Sequence, residues 1–416
     1  MSRSDRAAVS NRAAVGDRAA VGNRGGVVDR RLTLDDLDAY LRLRETTWGY
    51  PDDEETRRVL AARTPRMLGA FVDGELASAL TRHAYRAWVA GRVAPVGGFG
   101  AIQTAPEHRR QGHVARLMRA GLEADRAEGH GWNLLYPFDA AFYGRYGWAS
   151  VPTAAPMELR LERLPTGIPG RLRRVDGPAE EALAAPYARF AATRTFADTR
   201  ADGPWEVWDA LDGDPGERLL RYAGDDAFVA ARLDEEGGSA RLTILDLGWA
   251  DAAGRDAVWG TLAGFRGHVE RLRIDLPWDD PLVADLLNRH AVPGHPMLMA
   301  RVTDVEAAIA PLRAVADDDE PLDPPPVTVR VVDRFAAWND GTWRLEPGPE
   351  GTGVAPAAGL PDATLDVRGL AALLSGAAAP ADVRRTGWAE GSGRALASLA
   401  ALAGGRRPYR SRIDAF

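Results

Sequence analysis

The sequence predicts a mixed fold, part α+β and part α/β, in which one strand–helix–strand cadence occurs twice and a smaller α+β region comes last. Three observations carry that reading. Apolar positions alternate between a period of two and a period of 3.6 along the chain. The same order of elements returns, in weaker form, after residue 162. The 416 residues, 45% hydrophobic and 27% charged with 44 Gly and 28 Pro, lie in the soluble globular range and suffice for two to four domains. The boundaries predicted are a disordered repeat tail at 1–26, domains at 27–161 and 162–301, and a last domain at 302–416.

The tail is a degenerate six-residue repeat running from Asp5 to Val28, with too few large apolar side chains to build a core. Order is expected from a strand near Val27, then a helix capped around Thr33 that carries Leu37, Tyr40, Leu41 and Leu43, and a second helix over Glu54–Arg63. Met67–Val72, Asp73-Gly74 and Glu75–Arg82 read as a hairpin, and Val96–Thr104 as a central strand. After Pro106 the period becomes helical, with Val114, Leu117, Met118, Gly121 and Leu122 on one face. A strand at Leu134–Tyr136, a helix from Ala140 and a last strand from Trp148 to about Leu161 close the unit. The second round is expected as a helix near Glu180–Arg194, strands at Leu219–Tyr222, Phe228–Leu233 and Arg241–Leu247, a helix over Asp256–Val269 and a strand at Leu272–Leu276. A Pro/Asp-rich linker, Asp317–Pro326, leads to strands near Val327–Val332 and Ala363–Val367 and helices near Leu370–Leu374 and Arg394–Leu402.

Composition removes whole classes of chemistry. The chain holds no Cys and no Lys, which excludes disulfides, thiolate nucleophiles, iron–sulfur clusters, Schiff-base lysines and the P-loop lysine. Fifty-two basic residues against 59 acidic ones give a net charge of −7, unfavourable for a nucleic-acid partner. No apolar run of 18 residues and no secretory signal occur, so the expectation is a cytoplasmic protein without a membrane partner. No metal site is expected: His108 and His113 read as ordinary surface residues, and His290 and His295 flank a Pro-Gly turn.

Residues 100–121 hold the chemistry. A strand, Ala101-Ile102-Gln103-Thr104, delivers the chain through Arg109-Arg110-Gln111-Gly112-His113-Val114-Ala115 to a helix whose first amides have no intrahelical partner. Gly112 lets those amides approach a ligand, and Arg109 and Arg110 add positive charge, so a diphosphate fits there. The corresponding turn of the second round, Gly248 to Asp256, places Asp251 and Asp256 where such an anion would sit, and no coenzyme is expected at it.

Together with Phe142-Tyr143-Gly144-Arg145-Tyr146-Gly147-Trp148, this segment resembles the GNAT acetyltransferase superfamily, and in particular its three-domain Eis branch. The phosphate motif Q/R-x-x-G-x-G/A appears as Arg109–Val114, with Val114 in place of the small last residue. The resemblance implies tandem GNAT-like domains, the second degenerate, and after them a sterol-carrier-like domain. It implies that Ile102, Gln103 and Thr104 meet the pantetheine arm of acetyl-CoA, that residues 110–115 cradle its pyrophosphate, and that Phe138 and Asp139 flank it. By the same resemblance Tyr143 is the general acid, the carboxylate of Phe416 the general base, the substrate a primary amine such as an aminoglycoside, polyamine or lysine side chain, and the assembly a homohexamer. Trp48, Tyr85 and Trp88, in segments flanking the candidate pocket, are candidates to line it.

Acyl transfer asks for these parts on its own account: a neutral amine, donors for the tetrahedral oxyanion and a proton for the leaving thiolate. A phenol with a reference pKa near 10 can protonate a thiolate of similar basicity. A terminal carboxylate, at about 3.3–3.7 in water, needs burial or a bridging water to serve as base. The rival from another class is a catalytically silent coenzyme-A sensor or an apolar-ligand carrier.

Overall fold

The computed structural model describes residues 20–24, 26–50, 52–164, 167–201, 205, 218–236, 239–283, 298–315 and 320–414. The chain divides into two compact units, residues 1–83 with 99–121, and residues 84–98 with 122–416.

In the first unit, β1 (Ala20–Arg24) and β2 (Val27–Arg31) form an antiparallel hairpin about Gly26, whose φ of 83° only glycine adopts without strain. A strand therefore lies inside the stretch expected to be a disordered tail: main-chain pairing to β2 supplies what the small side chains of the repeat do not. Residues 1–19 of the tail lie outside the described residues. β2 pairs with β3 (Met67–Val72), and β3 with the long β4 (Glu75–Val89). The Asp36 carboxylate opens helix α1 (Leu37–Trp48) by accepting from the Thr33 amide at 2.8 Å and from both Arg30 guanidinium nitrogens at 2.7 Å. Arg30 holds that carboxyl down at about 2, against the opposing pull of burial. Helix α2 (Glu54–Arg63) starts on Asp53, which accepts from the Thr56 amide. Leu32, Tyr40, Leu43, Met67, Phe71, Ala79 and Ala105 form the core of this unit.

Strand β5 (Arg92–Thr104) and helix α3 (His113–Ala127) each begin or end in one unit and continue into the other. Within the first unit, α3 lies close on β5: a Cβ on Gly121 would stand 2.6 Å from the Phe99 ring, so only glycine allows that approach.

The second unit holds the remaining sheets. β15 (Leu298–Val302) is inserted between β6 (Trp132–Leu135) and β7 (Ala149–Val151), antiparallel to both. A six-stranded sheet runs in the order β8 (Ala154–Arg160), β14 (Arg271–Pro277), β13 (Ser239–Trp249), β12 (Ala227–Glu236), β11 (Arg218–Ala223), β9 (Arg173–Arg174). Each sheet thus takes a strand from beyond the expected boundary. β8, placed by the sequence in the 27–161 domain, pairs with β14, and β15 crosses back the other way. Alternation shows which face of a strand is buried but not against which partner, so neither exchange is visible in the period.

Helix α5 (Ala179–Ala192) packs on the six-stranded sheet, and helix α6 (Ala252–Ala263) joins β13 to its parallel neighbour β14. α6 starts four residues earlier than expected because Asp251 caps it, accepting from the Gly254 amide at 2.7 Å. A five-stranded sheet, β18 (Gly351–Pro356), β17 (Gly341–Gly348), β16 (Val327–Val332), β19 (Ala363–Asp366) and β20 (Ala389–Gly391), forms the last region with its helices. Gly and Pro dilute the strand signal of 341–356, and no strand is expected there from sequence. Among the described residues no helix is long and apolar enough to cross a membrane.

Candidate active site

The first unit carries the strand-to-helix junction. Ala101 sits in β5 with φ 47°, a left-handed conformation rare for a residue with a Cβ. Beyond it the Gln103 carbonyl accepts from Ser78 Oγ at 2.8 Å, and the Thr104 hydroxyl is 2.9 Å from the same oxygen. Any group that meets this strand therefore meets one carbonyl that already accepts a hydrogen bond. Neither Ala101 nor Ser78 stands out in the sequence, because the first is a backbone event and the second a partner 25 residues away.

Residues 105–112 form the loop. The Ala105 amide donates to the Ala77 carbonyl, Arg109 Nε to the Thr104 carbonyl at 3.4 Å, and Gln111 Nε2 to the Glu107 carbonyl at 3.1 Å. Arg109, Arg110, Gln111 and Gly112 are exposed, and Val114 and Ala115 half-buried. Arg110 (φ 64°) and Gly112 (φ 82°) are both left-handed, and a Cβ on Gly112 would meet nothing within 4 Å. The Gly112 carbonyl receives the Arg116 amide, but glycine offers the helix end no side-chain oxygen. The first turn of α3 is thus a positively polarised end beside two exposed guanidinium groups, an anion site by construction.

His113 is not the surface residue expected. It is 2% exposed, with Nδ1 2.8 Å from Arg116 Nη2, and burial lowers its pKa with help from Arg116 and His108. Ile102 and Thr104 are half-buried and Gln103 buried. Trp48, at the end of α1, is 40% exposed and packs edge-on against Tyr50.

Tyr143 belongs to the second unit, in the short helix α4 (Ala140–Gly144). Its ring is 3% exposed and meets Phe142 at 5.0 Å, Phe138 at 5.5 Å and Trp148 at 6.5 Å. Burial alone drives its phenol well above the usual range, so it holds its proton at any working pH. Phe138 is 75% exposed. The Asp139 carboxylate caps α4, accepting from the Ala141 amide at 2.8 Å and the Phe142 amide at 3.2 Å, so its lone pairs already hold the helix that carries Tyr143.

Tyr85 and Trp88 are half-buried on β4, with Arg410 over the Tyr85 ring at 4.8 Å and Trp88 packed on the core around Tyr187 and Phe190. Phe416 lies outside the described residues. The segment before it is tied down: Tyr409 donates to Asp246 Oδ1 at 3.2 Å, Ser411 to the same oxygen at 2.9 Å, and Arg200 bridges Asp246 and Asp414 at 2.7 and 2.8 Å. Arg410 reaches Asp198 at 3.3 Å. Tyr136, just past β6, faces Arg410, Asp414 and Asp198, and desolvation raises its phenol. Sequence reasoning missed this ionic cluster, whose ion-paired partners are as many as 214 residues apart. Asp125, Glu128 and His130 bring three donor atoms within 4.8 Å of one another, a grouping the sequence did not suggest; Asp125 also accepts from Asn133 at 2.7 Å.

The strand-to-helix junction lies within a segment that the comparisons with known proteins match to a domain. Residues 29–151 match the acetyltransferase (GNAT) domain, and residues 305–411 match the sterol carrier protein domain. An uncharacterized N-acetyltransferase of Streptomyces coelicolor is 29% identical over 307 residues, covering 67% of this chain and 71% of its own. A GCN5-related N-acetyltransferase of Anabaena variabilis shares the fold at a TM-score of 0.76 and 19% identity, over 94% of this chain and 100% of that one. Eis1 of Mycobacterium abscessus does so at 0.74 and 22%, over 93% and 100%.

The protein is an N-acetyltransferase of the GNAT type. Its arrangement, a GNAT domain at one end and a sterol carrier domain at the other within a fold shared with Eis1, is Eis-like.

Proposed function

We propose that the enzyme transfers an acetyl group from acetyl-CoA directly to a primary amine of an aminoglycoside, polyamine or lysine-type substrate. The observation that carries this reading is the α3 junction: exposed Arg109 and Arg110, left-handed Arg110 and Gly112, and a helix end without a side-chain cap. Its amides over residues 110–115 would hold the coenzyme diphosphate, with Ile102, Gln103 and Thr104 along the pantetheine arm and Phe138 and Asp139 beside it. The amine's lone pair attacks the thioester carbonyl, the C–S bond breaks as the tetrahedral intermediate collapses, and the thiolate takes a proton.

Tyr143 is assigned as that proton's donor, supported by the burial that keeps its phenol protonated; the same burial makes it a weaker acid than an ordinary tyrosine. We assign the loss of the amine's proton to the Phe416 carboxylate, supported by the buried anchoring of Tyr409–Asp414. Trp48, Tyr85 and Trp88 are assigned to the amine side, where aromatic faces favour cations. Assembly as a homohexamer belongs to the same proposal, and light scattering reads it directly. Thiol release from acetyl-CoA, measured against a panel of amines, tests the activity. Turnover that collapses in Tyr143→Phe and in a chain extended past Phe416 supports these roles, and turnover indifferent to both removes them.

A further inference from the structure

His113 is the first residue of a 15-residue helix, directly after Gly112, and carries a feature the diphosphate reading does not use. Arg116, one turn on, places Nη2 2.8 Å from His113 Nδ1. A guanidinium only donates, so Nδ1 accepts and the ring proton resides on Nε2. Arg116 is itself held from the other side by Asp29, at 2.8 Å from Nε and 3.2 Å from Nη2. Asp29 is 6% exposed. The three residues form a chain, carboxylate to guanidinium to imidazole, that fixes both the ring's orientation and its tautomer.

The outcome is a donor with nowhere to donate. His113 is 2% exposed, and its Nε2 is buried with no hydrogen-bond partner among the described residues. Leaving a donor so placed costs about 1–3 kcal/mol, and folded proteins keep few such groups without a use for them. Gln103, on the strand of the same junction, shows the same condition: it is 2% exposed, with neither Nε2 nor Oε1 paired among the described residues. The groups facing the imidazole are Arg116 and His108, which oppose a positive charge on it, and Asp29, which favours one; burial weighs with the first two. The ring is accordingly neutral.

We propose that His113 is a coenzyme-binding side chain: a neutral imidazole, locked by Arg116 and Asp29 in the Nε2–H form, whose unpaired donor is completed by an oxygen of the phosphate-bearing coenzyme at the first turn of α3. The inference rests on the diphosphate reading of this junction, in which residue 113 takes part through its amide, and adds to it the role of the imidazole side chain. Because Nε2 is buried in the free protein, an acceptor reaches it only through a local rearrangement on binding.

The test uses coenzyme A alone, without amine or turnover. In ¹⁵N-labelled wild-type protein, long-range ring spectra should show His113 with Nδ1 bare and Nε2 protonated, and coenzyme A should shift the Nε2–H signal. By calorimetry, His113→Leu should lose about tenfold in coenzyme A affinity, the worth of one neutral hydrogen bond. His113→Gln, which keeps an N–H donor, should recover most of that loss. An Nδ1–H tautomer in the free protein overturns the inference. So does a ring signal that coenzyme A leaves unmoved, together with equal affinity in a folded Leu variant; in that case wild-type binding persists and the junction reading stands. If wild-type protein takes up no coenzyme A, both fall.

Discussion

Strand β5 passes to α3 through eight residues, 105–112, whereas β13 passes to α6 through two, Ala250 and Asp251. The first connection is a loop with two left-handed residues and an uncapped helix end. In the second, the Asp251 carboxylate fills the helix end, 2.7 Å from the Gly254 amide. Both strands are irregular just before the junction. β5 has left-handed Ala101, and β13 has an extra residue, Leu245, since Asp246 faces Ala230 while Ile244 faces Ala231. Beyond the irregularity the two strands diverge. In β5, the Gln103 carbonyl and the Thr104 hydroxyl meet Ser78, and the Thr104 carbonyl meets Arg109. In β13, Asp246 and the Leu247 carbonyl receive Tyr409, Ser411 and Arg200. The same strand–helix–strand plan can therefore present a helix end to an anion or close it with the protein's own carboxylate, and the choice lies in a handful of residues.

If the first junction serves chemistry and the second only structure, the largest effect belongs to Tyr143. Tyr143→Phe should lower kcat by about 10²–10⁴, the usual worth of a proton-transfer group, with coenzyme affinity unchanged. Because burial raises this phenol, its acid form is lost only above the ordinary tyrosine range. The rate should then show no alkaline fall between pH 8 and 10 that disappears in Tyr143→Phe. Such a fall would return the phenol to a normal pKa.

Next comes the closure of the second junction. Arg200 lies with Asp246 and Asp414, all three side chains at most 1% exposed. Arg200→Met should strand two carboxylates and destabilise the protein by about 3–5 kcal/mol, seen in denaturant titration. A variant as stable as the parent would mean that the segment 409–414 is held by packing rather than by these ion pairs.

Transplanting the closure sharpens the contrast. Gly112→Asp puts a carboxylate at the open helix end, and coenzyme A affinity should fall about ten- to a hundredfold by calorimetry. Gly112→Ala, which shares the strain at φ 82° but adds no charge, separates conformation from electrostatics. Equal losses in the two variants would assign the effect to backbone alone.

How much of this contrast is legible without coordinates depends on its range in the chain. Gly112, the paired arginines and Asp251 are local, and their spacing alone signals an open and a closed helix end. α2 spans the expected Glu54–Arg63, opened by Asp53, and β3 spans Met67–Val72 ahead of the Asp73-Gly74 turn, as expected. The exchange of β8 and β15 between sheets is invisible: β8 alternates without naming its partner, and β15, buried at all five positions, carries no alternation. The burial of His113 is hidden for a related reason. A polar residue at a helix start reads as solvated, and only Asp29, 87 residues away from Arg116, makes the buried site tolerable.

The smallest effect is the most selective. Asp251→Ala removes the cap of α6 and frees its helix end, leaving Gly254 and its neighbours without a side-chain acceptor. Stability should drop by about 0.5–2 kcal/mol, while coenzyme A affinity and kcat stay at parental values. The freed end still lacks what the first junction has, an eight-residue loop, left-handed Arg110 and Gly112, and two exposed guanidinium groups. Asp256, in the second turn of α6, adds a further negative charge near that end. A second equivalent of coenzyme A bound by Asp251→Ala would show that one carboxylate is all that separates the two junctions. Unchanged stoichiometry places the difference in the loop as well, where its length sets whether amides can close around a diphosphate.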